Sequence, residues 1–401
     1  MVITGGDFMD EKKMGKMMSS YYIMQSFIFY VPVLTIFLKN EINNLFLVSV
    51  LFSAKSIATF LLEIPTGFIA DHISRKLSII TGTIIYIISM LIFAIYPKFE
   101  LLIIAQILFG VSETLISGSD QALFYDNFKY IKKEDSYQKY FANLTFLSTL
   151  ALCVSFSVGG VIYAFNKRGV FWLTAIFMGI SLIFLVPMKE YPYKDQNRHD
   201  KFSISLLLSR VKKINEESRE FKFYLFYCSI VEALILSIYL YLIPLLLENS
   251  NITGQYFGVI YAGCTILFGI GAKVSKYIKN NLNGMIVTLF ISLILFGVYK
   301  YKPSAIGAIL MIAGIRMMWG VFDVLFKAEL NSKLKNSEVR ATIFSVSNSI
   351  INVGSTIITF IFGIVVSEKS LDFLLVLIIC LIVILTIYIV GIKSRIKRWQ
   401  S

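Results

Sequence analysis

"LLEIPTGFIADHISRKLSII", residues 61 to 80, places a small charged cluster between two apolar runs. Asp71, His72, Arg75 and Lys76 stand within six positions, and the apolar character resumes at Leu77. A run of about 20 apolar residues is long enough to cross a hydrocarbon core of ~30 Å as a helix. The stretch therefore predicts two membrane helices joined by a short charged loop.

Composition extends this interpretation to the whole chain of 401 residues. The sequence is 57% hydrophobic and 16% charged and contains 34 Phe, whereas soluble domains carry roughly 25% charged residues. Apolar runs of helical length recur along the whole sequence. The polar start, "MVITGGDFMDEKKMGKMMSS", lacks an adjacent short apolar core with a cleavage site, so we expect no signal peptide.

Hydropathy predicts an all-α polytopic membrane protein with twelve spans in two bundles of six. The predicted spans are 20–38, 46–70, 77–96, 99–125, 139–163, 169–187, 223–247, 253–275, 283–299, 303–327, 341–366 and 371–392. The predicted domains are a cytoplasmic N-terminal segment (1–19), a first bundle (20–187), a cytoplasmic linker (188–222), a second bundle (223–392) and a basic cytoplasmic tail (393–401). The linker includes "SLLLSRVKKI", which suits either a helix on the membrane surface or a solvated linker helix.

The distribution of Lys and Arg predicts the orientation. With the N-terminus inside, 29 of the 38 basic residues fall in cytoplasmic segments and 7 in outer loops. The positive-inside rule therefore predicts a multi-pass protein of the cytoplasmic membrane with both termini in the cytoplasm. Basic loops beside anionic lipid also account for most of the net charge of +13, so no nucleic-acid partner is expected.

The two halves repeat at an offset of about 203 residues. Glu113 falls on Arg316 and Asp120 on Asp323 at this offset, and Arg75 falls on Lys279 at 204. Six helices separate the repeats, so they are parallel and related by an axis along the membrane normal. This arrangement is typical of transporters whose substrate site lies between the halves.

The loop "GFIADHISRK" resembles the signature loop of the major facilitator superfamily. Gly67, Asp71, Arg75 and Lys76 match its positions, and Ser74 replaces the usual second Gly. The resemblance implies a cytoplasmic gate, with a tight turn at Gly67 and Asp71 pairing with Arg75. The alternative is that Arg75 and Lys76 serve only to fix the topology.

A second stretch is similar to the family, at the entry to helix 11. In "NSEVRATIFSVSNSI", Arg340 would help to close the cytoplasmic side. Two drug-exporter signatures are imperfect. Gln106 stands where helix 4 usually has Arg, and Ser155 and Phe156 replace a Gly-Pro pair in helix 5. A bacterial drug-efflux-like member is therefore favoured but not fixed by these residues.

Polar side chains inside predicted spans are the candidate site. An ionisable group in a span costs roughly 2.5–3.5 kcal/mol on insertion scales and is a functional candidate by default. The seven candidates for substrate binding or proton coupling are Gln25, Lys55, Glu113, Asp120, Glu232, Arg316 and Asp323.

These candidates leave alternatives open. Glu113 and Arg316 are expected near the midplane, as either a structural ion pair or substrate and proton ligands. Glu113 and Asp120, seven residues apart, are expected on one face of one helix, about 10 Å apart along its axis. Asp120 and Asp323 could also be solvated residues at helix ends.

Three function hypotheses follow. The first is a secondary active transporter that exports an amphipathic or cationic compound by proton antiport. The second is uptake or exchange of a polar or anionic solute bound by Arg316 and Lys55. The third, a non-transporting receptor or intramembrane enzyme, is disfavoured because no HExxH, GxSxG or Walker motif occurs.

The expected partners are therefore a small-molecule substrate, protons or another coupling ion, and the lipid bilayer. We expect a monomer with no cofactor, no metal and no catalytic residue. The four cysteines, Cys153, Cys228, Cys264 and Cys380, lie in apolar spans at no metal-binding spacing.

Overall fold

The computed structural model describes residues 10–72, 74–191, 219–333 and 340–400. Within these ranges every regular element is a helix and there is no strand. Helices suit a chain in hydrocarbon because they satisfy all backbone hydrogen bonds within one segment. The predicted all-α polytopic fold is confirmed.

The helices are numbered here in chain order. They are α1 (Glu11–Gln25), α2 (Leu34–Ile42), α3 (Leu45–His72), α4 (Arg75–Ile95), α5 (Phe99–Ile116), α6 (Ser119–Tyr130), α7 (Glu134–Phe165), α8 (Gly169–Leu185), α9 (Arg219–Ser237), a π-helical segment (Ile238–Leu242), α10 (Ile243–Asn249), α11 (Gly254–Val274), a 3₁₀ turn (Ser275–Tyr277), α12 (Asn281–Tyr301), α13 (Ala305–Lys333), α14 (Arg340–Glu368) and α15 (Leu371–Gln400).

The described residues contain ten helical stretches long and apolar enough to cross a membrane. A shorter apolar helix, α8, corresponds to the sixth predicted span. The first predicted span is present but divided between α1 and α2. Together these account for the twelve predicted spans.

The division of the first span corrects the prediction of one continuous helix over 20–38. Residues 26–33 are not α-helical. Neighbouring helices supply partners for the exposed backbone, since Phe29 N–H donates to Thr174 Oγ1 (3.1 Å) and the Ser155 hydroxyl donates to the Ile28 carbonyl (3.4 Å). Non-helical backbone at membrane depth is tolerated where protein covers it.

The fourth predicted span also has a break. Helix α5 ends at Ile116, and Gly118 has φ of 77°, a left-handed conformation that glycine adopts without strain. Glu113 and Asp120 therefore lie on two helices, α5 and α6. The prediction that they share one helix face is wrong.

The loop between the second and third spans is shorter than predicted. Helix α3 continues to His72, so Gly67 is inside a helix and the predicted tight turn there is wrong. Ser74 caps α4, because its Oγ accepts the Leu77 N–H at 3.0 Å. The side chain of Asp71 lies outside the described ones.

The chain forms two compact units. The first comprises 1–30 and 57–202, and the second comprises 31–56 and 203–401. The outer parts of the first two predicted spans thus group with the second unit, whereas the prediction assigned them to the first bundle. The predicted bundle boundaries stay a prediction, and most of the linker, with "SLLLSRVKKI", lies outside the described residues.

Each unit has its own packing. In the first unit a buried cluster draws on α1, α4, α6, α7 and α8 and includes Met14, Tyr21 and Phe124. In the second unit α11 packs against α13 at two glycines. A Cβ atom on Gly271 would lie 2.0 Å from the Met317 carbonyl oxygen, so only glycine permits this contact.

We predict that Gly271→Ala destabilises the protein, whereas Gly263→Ala in the same helix does not. No atom lies within 4 Å of a Cβ on Gly263, so alanine there should gain up to about 1 kcal/mol of helix propensity. At Gly271 the clash with backbone should cost about 1–3 kcal/mol. Thermal unfolding of the purified protein in detergent measures both. Equal melting temperatures for the two variants would contradict the close contact of α11 with α13.

Candidate functional site

Arg316, on α13 of the second unit, lies among three aromatic rings. Its guanidinium carbon is 4.1 Å from the centre of the Tyr239 ring, 4.3 Å from that of Trp319 and 5.1 Å from that of Phe268. The residue is only 7% exposed. Ring faces attract a cation, by about 2 kcal/mol or more where water is excluded. We call Tyr239, Phe268 and Trp319 the aromatic box.

Helix packing places the box. Trp319 follows Arg316 by three positions on α13, so the two side chains share a helix face. The contact of α11 with α13 brings the Phe268 ring 5.5 Å from the Trp319 ring. A Cβ atom on Gly320 would meet the Phe268 carbonyl oxygen at 2.0 Å, so this glycine allows the approach.

Glu232, on α9, adjoins the box. Its Oε2 accepts the indole N–H of Trp319 at 2.6 Å, and the residue is 6% exposed. Glu232 Oε1 and Arg316 Nε are both buried without a hydrogen-bond partner among the described residues. The site thus has one buried acceptor on α9, Glu232 Oε1, and one buried donor on α13, Arg316 Nε, that remain available to a ligand.

Arg316 forms no close ion pair with a described carboxylate of its own unit. Among the described residues of the second unit, no carboxylate oxygen lies within 4.0 Å of its nitrogens. Asp323, two turns further along α13, pairs instead with Lys327 at 2.7 Å. The predicted Glu113–Arg316 pair joins residues of different units and stays a prediction.

The first unit holds three of the other candidates, Gln25, Glu113 and Asp120. Asp120 is 8% exposed and accepts the Gln121 N–H at 2.7 Å. The buried hydroxyls of Tyr21 and Tyr22 lie near Asp120 and Gln25, the Tyr22 hydroxyl beside Asp120 and the Tyr21 hydroxyl beside Gln25. Gln25 donates to Thr83 Oγ1 at 3.4 Å.

Two further candidates are half-buried. Glu113 lies on α5 in the first unit, and Lys55 lies on α3 in the part that groups with the second unit. Glu63 Oε2, on α3, is buried without a hydrogen-bond partner among the described residues. Three of the seven candidates thus belong to the first unit and four to the second.

The predicted cytoplasmic gate has partners that the sequence analysis missed. The Arg75 guanidinium pairs with Asp126 on α6, and the Arg75 backbone N–H donates to Glu190 Oε1 at 2.8 Å. Asn127 donates to the Lys189 carbonyl at 2.8 Å. These contacts bind the segment after α8 to the start of α4 and to the last turn of α6.

The remaining gate residues are less informative. Lys76 is half-buried on the first turn of α4. Arg340 begins α14, but its side chain lies outside the described ones. The predicted pairing of Asp71 with Arg75 stays a prediction for the same reason.

A comparison with protein families shows to which family the chain belongs. A family model described as Major Facilitator Superfamily matches residues 17–359. The chain belongs to the major facilitator superfamily. It is therefore a multi-pass membrane protein of a family that consists of transporters rather than enzymes.

Relatives and solved structures agree with this assignment. An uncharacterized MFS-type transporter of Bacillus subtilis (strain 168), YxaM, is 25% identical over 194 residues, which is 47% of each chain. The match thus spans about half of that relative's length. A point mutant of the nucleoside transporter NupG has a TM-score of 0.82 at 12% identity, covering 94% of this chain and 99% of that one. A D-xylose-proton symporter has a TM-score of 0.72 at 11% identity, covering 96% and 97%. At these identities the structures show a shared fold.

We predict that Asp126→Asn lowers the free energy of unfolding by about 1–3 kcal/mol, because it removes a carboxylate that pairs with the largely buried Arg75 guanidinium. The pair is 13% and 18% exposed. A matched control is Asp372→Asn, which breaks the Lys300–Asp372 pair (2.9 Å), whose Asp is 69% exposed; surface pairs contribute about 0–1 kcal/mol. Denaturant titration in mixed micelles compares the two. A larger loss for Asp372→Asn would overturn the role given to Asp126.

Proposed function

We propose that this transporter carries a small organic solute with an anionic or hydrogen-bond-accepting group, and that Arg316 binds that group. The observation behind the proposal is the aromatic box. Three rings hold the guanidinium in a buried position, while its Nε has no partner among the described residues.

The geometry of a guanidinium supports this role. Aromatic rings attract the guanidinium through its charge and, unlike hydrogen-bond acceptors, occupy none of its five N–H donors. A cation held by ring faces therefore keeps its donors for a ligand. A carboxylate accepts two of them at once, which gives both affinity and orientation.

We assign the coupling role to Glu232. The Trp319 N–H fixes one carboxyl oxygen and leaves the other without a partner. A carboxyl group so placed can take up a proton and become a donor, or accept a hydrogen bond from the solute. The other candidates for the path of the solute or proton remain Gln25, Lys55, Glu113, Asp120 and Asp323.

A second candidate function is proton-coupled efflux of an amphipathic or cationic compound, the predicted drug-exporter activity. The observation in its favour is Asp120, a buried carboxylate beside the aromatic rings of Tyr21 and Tyr22. An acid beside aromatic rings suits an organic cation. The two candidates differ in the unit that binds the solute and in the charge of the solute.

A solute panel in proteoliposomes tests both. We choose benzoate as a carboxylate, ethidium as an organic cation, and uridine and D-xylose because the structural neighbours are named for a nucleoside and for D-xylose. Each is assayed with and without an imposed proton gradient in both directions. We expect transport of a solute with an acceptor group, stimulated by the gradient.

Arg316 variants then identify the ligand residue. Arg316→Gln should lower transport about 10- to 100-fold, since a hydrogen bond to a charged group contributes about 1.5–3 kcal/mol, and Arg316→Lys should retain part of it. Arg168→Gln, at an exposed position, is the control. Ethidium transport that survives Arg316→Gln but is lost in Asp120→Asn would replace the first candidate by the second.

A further inference from the structure

The π-helical segment Ile238–Leu242 releases two consecutive backbone carbonyls. In an α-helix the Ile243 N–H would bind the Tyr239 carbonyl, but here it binds Ile238 instead. Pro244 has no N–H, so the Leu240 carbonyl also lacks its usual helical donor. Tyr239 and Leu240 therefore each have a carbonyl that must find a partner outside the helix.

Both carbonyls are bound by hydroxyl groups of other helices. Tyr261 of α11 donates to the Tyr239 carbonyl at 2.8 Å, and Thr35 of α2 donates to the Leu240 carbonyl at 2.6 Å. The next residue, Tyr241, makes a further contact of this kind, because its hydroxyl donates to the Leu45 carbonyl at the start of α3 (2.7 Å). Two consecutive residues thus hold α2 and α3.

The same segment touches the Arg316 site. The Tyr239 ring lies 4.1 Å from the Arg316 guanidinium and also contacts the Trp319 ring. Tyr239, Leu240 and Tyr241 therefore connect the aromatic box to α2 and α3 through three adjacent positions. Isolated π-helical turns are frequent at functional sites, which agrees with this placement.

Helix α2 has a non-helical connection at its start and a half-exposed ion pair at its end. The non-helical residues 26–33 join it to α1, and the boundary between the compact units falls within them, after Tyr30. At its far end Lys39 pairs with Glu248 at 2.6 Å, but both side chains are about a third exposed, so salt screens this pair. The hydrogen bonds to the π-helical segment are less accessible to salt, since Thr35 is 1% and Tyr241 0% exposed.

We propose that the π-helical segment couples solute binding at Arg316 to the release of α2 and α3 on the side predicted to face outward. A solute that displaces the Tyr239 ring shifts Leu240 and Tyr241, because the three residues are adjacent in one helix. Their hydrogen bonds to Thr35 and Leu45 then break together. This inference rests on the proposed role of Arg316 as the ligand residue.

Distance measurements between spin labels test the attachment. In the full chain with its cysteines replaced, labels at Glu41→Cys and Asn251→Cys, both exposed, report the separation of α2 from the end of α10. Thr35→Val removes only the donor to the Leu240 carbonyl. It should raise the population of the longer distance relative to that of the shorter one about three- to tenfold. Tyr241→Phe should act in the same direction, which keeps the test available if Thr35→Val folds poorly.

Thr265→Val is the matched control. Thr265 donates to Tyr261 within its own helix at 3.0 Å, so its loss should change the ratio less than about twofold. Thr35→Val and Tyr241→Phe ratios no larger than that of Thr265→Val would overturn the proposed attachment.

A double-mutant cycle tests the coupling. Combined with Arg316→Gln, Thr35→Val should have no more than about half its effect in the wild-type background, since coupled sites are not additive. Independent, multiplicative effects would overturn the coupling. The measurement needs no solute. A negative solute panel in proteoliposomes would therefore refute the proposed function, whereas the link between the Arg316 site and α2 is decided by this cycle alone.

Discussion

Arg316 is held in a buried position by the faces of three aromatic rings. Hydrocarbon offers a charge no water, so a buried cation needs a counter-ion, a ligand or a polarisable surface. Within its own unit the rings supply that surface, and the described carboxylates lie beyond 4.0 Å. The close contact of α11 with α13, the indole bond to Glu232 and the π-helical turn at Tyr239 all contribute to this arrangement.

The helix irregularities follow from the same medium. Every backbone N–H and C=O inside a membrane must find a partner in protein. The break after α1 and the turn at Ile238–Leu242 meet this demand with hydroxyl groups, from Thr174 at one and Thr35 and Tyr261 at the other. Such breaks are stable only where other helices cover them. Discontinuous helices of this kind are common at the solute sites of transporters.

The sequence predicts the spans well because hydrocarbon thickness fixes their length. It also predicts that Glu232 and Arg316 lie within spans, since a charge in an apolar run is visible without a structure. The aromatic box was not predicted, because its rings come from three helices and the chain has 22 Tyr and 34 Phe. Only Trp319, three positions after Arg316, was a local signal.

Two features were missed for a common physical reason. A run such as 99–125 is apolar throughout, so hydropathy cannot detect a break that depends on one glycine with positive φ, Gly118. The Arg75–Asp126 pair was not predicted either, because Asp126 comes from α6. Local spacing does not reveal a partner supplied by tertiary packing. Pro244 lies two positions after the π-helical turn, but it was not recognised as a sign of that turn.

The most direct test of the ligand role of Arg316 is the stability of Arg316→Met, measured by unfolding in mixed micelles beside its transport rate. Methionine fits an aromatic box and removes the buried charge. A charge kept for a ligand contributes little to folding, so the expected result is unchanged or higher stability with transport lost. A loss of stability of more than about 2 kcal/mol, with transport falling only in proportion to the folded protein, would contradict it and make Arg316 a structural residue.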